Sequence, residues 1–218
     1  MFTALLDANV LAPVSLTDTI LRAAERELFV PRWSAGVLGE VHRALRRIRS
    51  DVPTTRLRAR LEAMNDRFPE ARVTGHEGLL ESIALPDPND RHVVAAAVVG
   101  RADVIVTRDL KHFPDDNLAP WALEAVDPDT FLRDMLDLFP DIMLRIVVER
   151  AADLRRPSQG VGDVLASLQR AGVTGFVADL RARFGDAVQE ERQRHGDAPH
   201  RKRLKARTVR TAGPSADM

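Results

Sequence analysis

The segment from Leu85 to Phe113 limits the possible folds more than any other part of this 218-residue chain. Asp90 to Arg101 has an apolar Val/Ala body and the length of a helix. The β-branched run Val104 to Val106 follows almost at once, and such a run is typical of a strand buried on both faces. A helix that leads directly into a buried strand is half of a βαβ unit, so the segment predicts an α/β fold with a parallel sheet.

Carboxylates stand at the ends of these two predicted elements. Asp87 precedes Pro88, which suits a helix N-cap followed by a first helical residue. Asp90 then falls in the first turn, where the helix dipole favours a negative charge. Asp109 follows the strand, and ligands of open α/β sheets gather outside the carboxyl ends of strands. Each acid alone also suits a structural role, because turns and first helical turns often contain Asp.

A second strand with the same arrangement is predicted at the N-terminus. The apolar run Thr3 to Leu6 ends in Asp7, and two parallel strands bring their terminal carboxylates to the same edge of a sheet. Glu40 lies one turn inside a later predicted helix that has Ser34 as its N-cap candidate. If the sheet is parallel, the acids at positions 7, 40, 90 and 109 can converge.

Converging carboxylates repel one another, and a divalent cation removes that repulsion. A site of oxygen ligands favours Mg²⁺ or Mn²⁺ over zinc, and such ions can activate water against a phosphodiester. The histidines His42, His92 and His112 could in principle be ligands, but they are interpreted as surface or capping residues, because a hard cation does not need them.

The remaining pattern gives the order of elements and a division into three parts. Residues 1–138 are predicted to form the α/β body, 139–188 a helical C-terminal extension, and 189–218 a disordered basic tail. Within these parts the expected elements are a helix at Leu16–Leu28, a strand at Phe29–Val30 closed by Pro31, a strand at Ala71–Thr74, a helix at Gly75–Ile83, an edge strand at Trp121–Val126, and helices at Thr130–Leu138, Pro140–Arg155, Val161–Arg170 and Val173–Phe184.

Composition narrows the possible functions. The chain has no cysteine, which excludes disulfides, thiolate metal sites and a cysteine nucleophile. It has no apolar run of membrane-spanning length and no signal-peptide pattern at its start, so a cytoplasmic protein without membrane contact is expected. Lys plus Arg equals Asp plus Glu at 32 each, so nucleic-acid binding would need a local patch. Such a patch is a candidate at arginines 43, 46, 47, 49, 56, 58 and 60, which equally suit a solvated face.

Four short motifs together resemble a PIN domain: LLDAN at 5–9, Glu40, DPNDRHVVAAA at 87–97 and VIVTRD at 104–109. PIN domains are three-layer α/β/α nucleases with a parallel central sheet, and the resemblance covers roughly residues 2–138. It is nearest to the VapC-type toxins of bacterial toxin–antitoxin pairs, in the longer subgroup with a helical C-terminal extension.

The resemblance implies a role for each matching residue. Asp7, Glu40, Asp90 and Asp109 would form an acidic Mg²⁺ or Mn²⁺ site. Further residues would support that site, namely Asn9 and Thr107 by hydrogen bonds and Asp87 as the cap that orients Asp90. Asp87 is also close enough to compete for the metal role. The implied activity is a metal-dependent endoribonuclease. The implied partners are an RNA substrate and a cognate antitoxin, with the toxin as a homodimer or in a toxin–antitoxin hetero-oligomer.

Three alternatives remain beside this hypothesis. A haloacid-dehalogenase-type phosphatase also ends its first strand in Asp, but it needs an acid two residues later, where this chain has Asn9. A PIN-like module that only binds RNA or protein would keep the fold without the reaction. In the third alternative the acids are structural and the function lies in the extension and tail.

Overall fold

The computed structural model describes residues 1–153 and 160–196, with side chains described as far as residue 185. Its centre is a five-stranded sheet in which every pair of neighbours is parallel, in the order β3-β2-β1-β4-β5. The strands are β1 Thr3–Leu6, β2 Val30–Ser34, β3 Arg72–Val73, β4 Val104–Val106 and β5 Glu124–Val126. Together with the helices on its two faces, the sheet forms the expected three-layer α/β/α fold.

Ten α-helices are described, and several 3-10 turns connect them to the strands. The helices are α1 Ala8–Leu11, α2 Val14–Glu25, α3 Ala35–Ile48, α4 Thr54–Arg67, α5 Arg91–Val99, α6 Asp115–Leu118, α7 Pro128–Leu138, α8 Pro140–Asp153, α9 Val161–Arg170 and α10 Thr174–Gly196. Helix α10 is broken at Phe184, which has non-helical backbone angles. None of the described helices is both long and apolar enough to span a membrane.

The strand order creates the crevice in which a site can form. From β1 the chain proceeds to β2 and β3 on one side, then returns to place β4 and β5 on the other side. The order therefore reverses between β1 and β4, and ligands of open α/β sheets bind outside the carboxyl ends of the strands at such a point. Asp7 follows β1 and Thr107 follows β4, so both residues lie at this crevice.

The prediction that Pro31 closes its strand is wrong, because β2 continues through Pro31 to Ser34. The backbone N–H of Val30 donates to Phe2 on the β1 side, so the nitrogen of the next residue points to the other edge. There β3 pairs only with Trp33 and Ser34. Proline lacks an N–H group, and at position 31 no neighbouring strand requires one.

Other predicted elements differ at their ends. The expected helix at Gly75–Ile83 is a run of 3-10 turns at Glu77–Ser82, and α5 begins after a 3-10 turn at Pro88–Asp90. Helix α10 continues to Gly196, beyond residue 189 where the disordered tail was expected to begin, because this segment is rich in the strong helix formers Glu, Gln and Arg. The rest of that tail, 197–218, and the last residues of the helix expected at Pro140–Arg155 lie outside the described residues.

The C-terminal helices pack on the α/β body through α2 and α7. Asp129, in the first turn of α7, accepts hydrogen bonds from the backbone N–H groups of Gly175 and Phe176, both at 2.8 Å. These N–H groups belong to the first turn of α10, where backbone N–H groups have no acceptor within the helix. Asp129 therefore caps a helix that lies 46 residues further along the chain. The boundary expected at residue 138 stays a prediction.

Replacing Asp129 with Ala is expected to lower the free energy of unfolding by about 1–2 kcal/mol, the usual cost of losing a helix N-cap. For a chain of this size that corresponds to a melting temperature lower by about 2–8 °C, measurable by circular dichroism. Asp129→Asn is the matched control, since its amide oxygen can still accept one of the two hydrogen bonds. An unchanged melting temperature in Asp129→Ala would contradict the capping role.

Candidate active site

Asp7 is a buried carboxylate at the carboxyl end of β1, with 7% of its surface exposed. Its Oδ1 accepts from the backbone N–H of Ala8 at 2.6 Å, and its Oδ2 accepts from the Thr107 hydroxyl at 2.7 Å. Burial raises the pKa of Asp7, and the nearby charges of Asp90 and Glu40 raise it further, against the opposing effect of the hydrogen bonds. The ionised carboxylate is thus held where a positive charge would stabilise it.

Asn9 connects the two strand ends across the crevice. Its Nδ2 lies 2.8 Å from Asp7 Oδ2, 3.1 Å from Thr107 Oγ1 and 3.1 Å from Asp109 Oδ2. Its Oδ1 accepts from the backbone N–H of Arg108 at 3.1 Å. These contacts hold the segment after β4 against Asp7. Asn9 and Thr107 therefore occupy positions suited to the supporting role that the sequence predicts for them.

Glu40 is brought to the site by α3, whose N-terminus is capped by the Ser34 hydroxyl as predicted. Its Oε1 lies 3.2 Å from His92 Nε2 on α5. The hydrogen bond from His92 lowers the pKa of Glu40, and Glu40 in turn raises the pKa of His92. The imidazole fits closely against α3 because residue 36 is glycine, where a Cβ would lie only 3.2 Å from His92 Nδ1.

Asp90 ends the 3-10 turn before α5 and hydrogen-bonds to His112, with 2.8 Å between Asp90 Oδ2 and His112 Nδ1. Burial raises the pKa of Asp90, while the bond to His112 opposes that effect. Asp87 caps the same 3-10 turn, since its Oδ1 accepts from the backbone N–H of Asn89 at 2.9 Å. One ligand atom each from Asp87, Asp90 and His112 lies within 4.8 Å of the others.

The interpretation of His92 and His112 as surface or capping residues is wrong, because both are partly buried and bonded to a site carboxylate. The sequence indicated only weakly that these histidines lie near the site, since His92 comes two residues after Asp90 and His112 three residues after Asp109. Nothing in that spacing shows that His92 meets Glu40, which is 52 residues away. His42 makes no hydrogen bond to these acids in the part of the chain that the structure describes, and its Nε2 is buried without a partner there.

All four predicted acids, Asp7, Glu40, Asp90 and Asp109, line a single cleft of about 310 Å³. Asn9 and the cationic side chains of Arg43 and Arg47 also line it. The structure thus brings the four acids together, while their catalytic role remains a prediction. The donor set of carboxylate oxygens fits a hard divalent cation such as Mg²⁺ or Mn²⁺. Burial and the nearby charges of Asp90 and Glu40 raise the pKa of Asp7, and a bound cation would favour its ionised form.

Two family models match this chain. One describes the PIN domain and covers residues 3–111, which include all four acids. The other describes the VapC50 C-terminal domain and covers residues 128–182. No solved structure matches the chain significantly.

A protein of Mycobacterium tuberculosis (strain ATCC 25618 / H37Rv) with the name "Putative ribonuclease VapC50" is 54% identical over 59 residues. The matched region is 27% of this chain and 35% of that protein, so the chain spans about a third of the length of this curated relative. The PIN model, by contrast, accounts for half of the chain and for the strands that carry the site. The chain therefore belongs to the PIN-domain family, and a region similar to the VapC50 C-terminal domain follows its PIN domain.

Proposed function

We propose that this protein is a metal-dependent endoribonuclease and the toxin of a type II toxin–antitoxin pair. The observation that carries the proposal is the convergence of four carboxylates on one cleft, with the most buried of them, Asp7, at the switch point of a parallel sheet. The name of the relative, which calls that protein a ribonuclease, supports the assignment of RNA as the substrate.

In this proposal Asp7, Glu40, Asp90 and Asp109 would hold one or more Mg²⁺ or Mn²⁺ ions. When bound, such ions lower the pKa of water and stabilise the leaving oxygen of a phosphodiester. The chain's own residues would hold the metal-binding carboxylates in position. Partners orient each of three acids: Thr107 and Asn9 hold Asp7, His92 holds Glu40, and His112 holds Asp90.

The partners proposed for the chain follow from the same assignment. A toxin of this kind would be held inactive by a cognate antitoxin, and it would act as a homodimer or within a toxin–antitoxin hetero-oligomer. It would work in the cytoplasm, where its RNA substrate is found.

RNA cleavage by the purified chain tests the proposal. The protein, free of any partner, is incubated with total cellular RNA and Mg²⁺ or Mn²⁺, then with EDTA, beside an Asp90→Ala variant. We expect discrete products that disappear with EDTA and fall at least about 100-fold in the variant, because a metal ligand is worth several kcal/mol in the transition state. A chain that gives no metal-dependent products at any concentration would instead be a PIN-like binding module.

A further inference from the structure

One face of α3 forms a wall of the cleft and changes its charge along the helix. Glu40, Arg43, Ala44 and Arg47 all line the cleft, with the i, i+3, i+4, i+7 spacing of a single helical face. The helix rises 1.5 Å per residue, so Arg43 and Arg47 start about 4.5 and 10.5 Å beyond Glu40 along its axis. The acidic end of the cleft therefore leads into a cationic end.

The arginines predicted to form a patch divide into separate groups in the structure. Arg49 pairs with Asp51 at 3.1 Å. Arg60 donates to the backbone oxygens of Leu11 and Ala12, at the end of α1. Neither Arg49 nor Arg60 lines the cleft, whereas Arg43 and Arg47 do.

The guanidinium groups on the cleft wall are available to a ligand. Arg43 lies 3.4 Å from Glu40, but the two side chains are 67% and 34% exposed, and such surface pairs contribute little to stability. Arg47 is exposed and makes no ion pair with the side chains that the structure describes, those of residues 1–153 and 160–185. A planar guanidinium matches the oxygens of a phosphate, and it keeps its charge at any physiological pH.

We propose that Arg43 and Arg47 bind backbone phosphates of a single RNA strand next to the bond at the acidic end of the cleft. The strand would then run along α3, with its cleaved phosphodiester at the four acids and its neighbouring phosphates over the arginines. The inference rests on the proposed function for the identity of the strand, but RNA binding can be measured without cleavage.

Binding of a short labelled single-stranded RNA, followed by fluorescence anisotropy in EDTA, tests this phosphate site. The proteins compared are the full chain and its Arg43→Gln, Arg47→Gln and Arg46→Gln variants, each measured over a range of salt concentrations. Arg46 lies between the two on α3 and is exposed, but it is outside the cleft lining, so it controls for the loss of one positive charge. Arg43→Lys tests whether charge alone restores binding.

Each cleft variant is expected to raise the RNA dissociation constant about tenfold, as for a lost charge-assisted bond. Each should also make the slope of log K against log salt shallower by about 0.7, the value for one phosphate contact on a single strand. Arg46→Gln should change neither quantity, and Arg43→Lys should recover most of the lost affinity. Equal effects in all three Gln variants would show that RNA responds only to the total positive charge of this surface, and that would overturn the proposal. Absence of RNA binding by the unaltered chain would also overturn it.

Failure of this inference and failure of the proposed function give different results. A chain that cleaves RNA while its cleft variants bind like Arg46→Gln remains a nuclease but lacks this phosphate site. If the chain binds RNA through Arg43 and Arg47 but shows no metal-dependent cleavage, the phosphate site is supported and the nuclease assignment is wrong.

Discussion

Asp7→Asn is expected to lower the rate of RNA cleavage by about 10³-fold, the largest effect of any single substitution in the chain. The substitution removes the charge of the most buried carboxylate in the cleft, and metal ions stabilise transition-state charge by several kcal/mol. Single-turnover cleavage with saturating Mg²⁺ measures the change. Asp66→Asn is the matched control, since Asp66 is an exposed carboxylate on α4 and does not line the cleft.

The same substitution is not expected to unfold the metal-free protein. Burial raises the pKa of Asp7 in the folded state, so its stabilising contribution is present below the unfolded pKa and is lost as pH rises through the folded one. At neutral pH a charge on this carboxylate opposes folding, whereas Asn gives up one of the two oxygens that accept hydrogen bonds from Ala8, Thr107 and Asn9. Because these two effects oppose each other, the variant should stay folded with a melting temperature close to that of the unaltered chain. Full cleavage activity in a folded Asp7→Asn variant would contradict the assignment of Asp7.

Mn²⁺ or Mg²⁺ is expected to stabilise the protein against heat. A ligand that binds only the folded state at 100 times its dissociation constant adds about 2.7 kcal/mol, equivalent to about 5–10 °C in melting temperature for a chain of this size. Burial first, and then repulsion from Asp90 and Glu40, raises the pKa of Asp7, and the cation would offset both effects. Thermal melts at increasing Mn²⁺, with EDTA as the reference, measure this shift.

The Asp7→Asn variant separates binding in the cleft from binding elsewhere on the surface. It should show a much smaller rise in melting temperature at the same Mn²⁺ concentrations, while Asp66→Asn should behave as the unaltered chain. An equal rise in all three proteins would place the stabilising ions outside the cleft and would remove the metal site from the proposed mechanism.

The sequence by itself determined the parallel α/β body and the approach of the two acids that follow its central strands. Both follow from short windows of chain: apolar runs that end in Asp7 or precede Asp109, the Ser34 cap, and the Asp87 turn before α5. Parallel strands place their carboxyl ends at one edge whatever the connecting loops do, so the approach of Asp7 and Asp109 needed no knowledge of helix packing. Glu40 reaches the cleft only because α3 packs beside the sheet. Strands, helix caps and turns of this kind are specified by residues that are close to them in the sequence.

Only the tertiary structure decided the partners of those acids. The contacts of His92 with Glu40 and of Asn9 with Asp109 join residues 52 and 100 positions apart, and they depend on how closely helices and strand ends pack. The cap that Asp129 provides for α10 likewise joins residues that are 46 positions apart in the sequence. Side-chain reach is a few ångström, so small changes in packing angle or register make or break such contacts. No pattern within a short window of sequence specifies them.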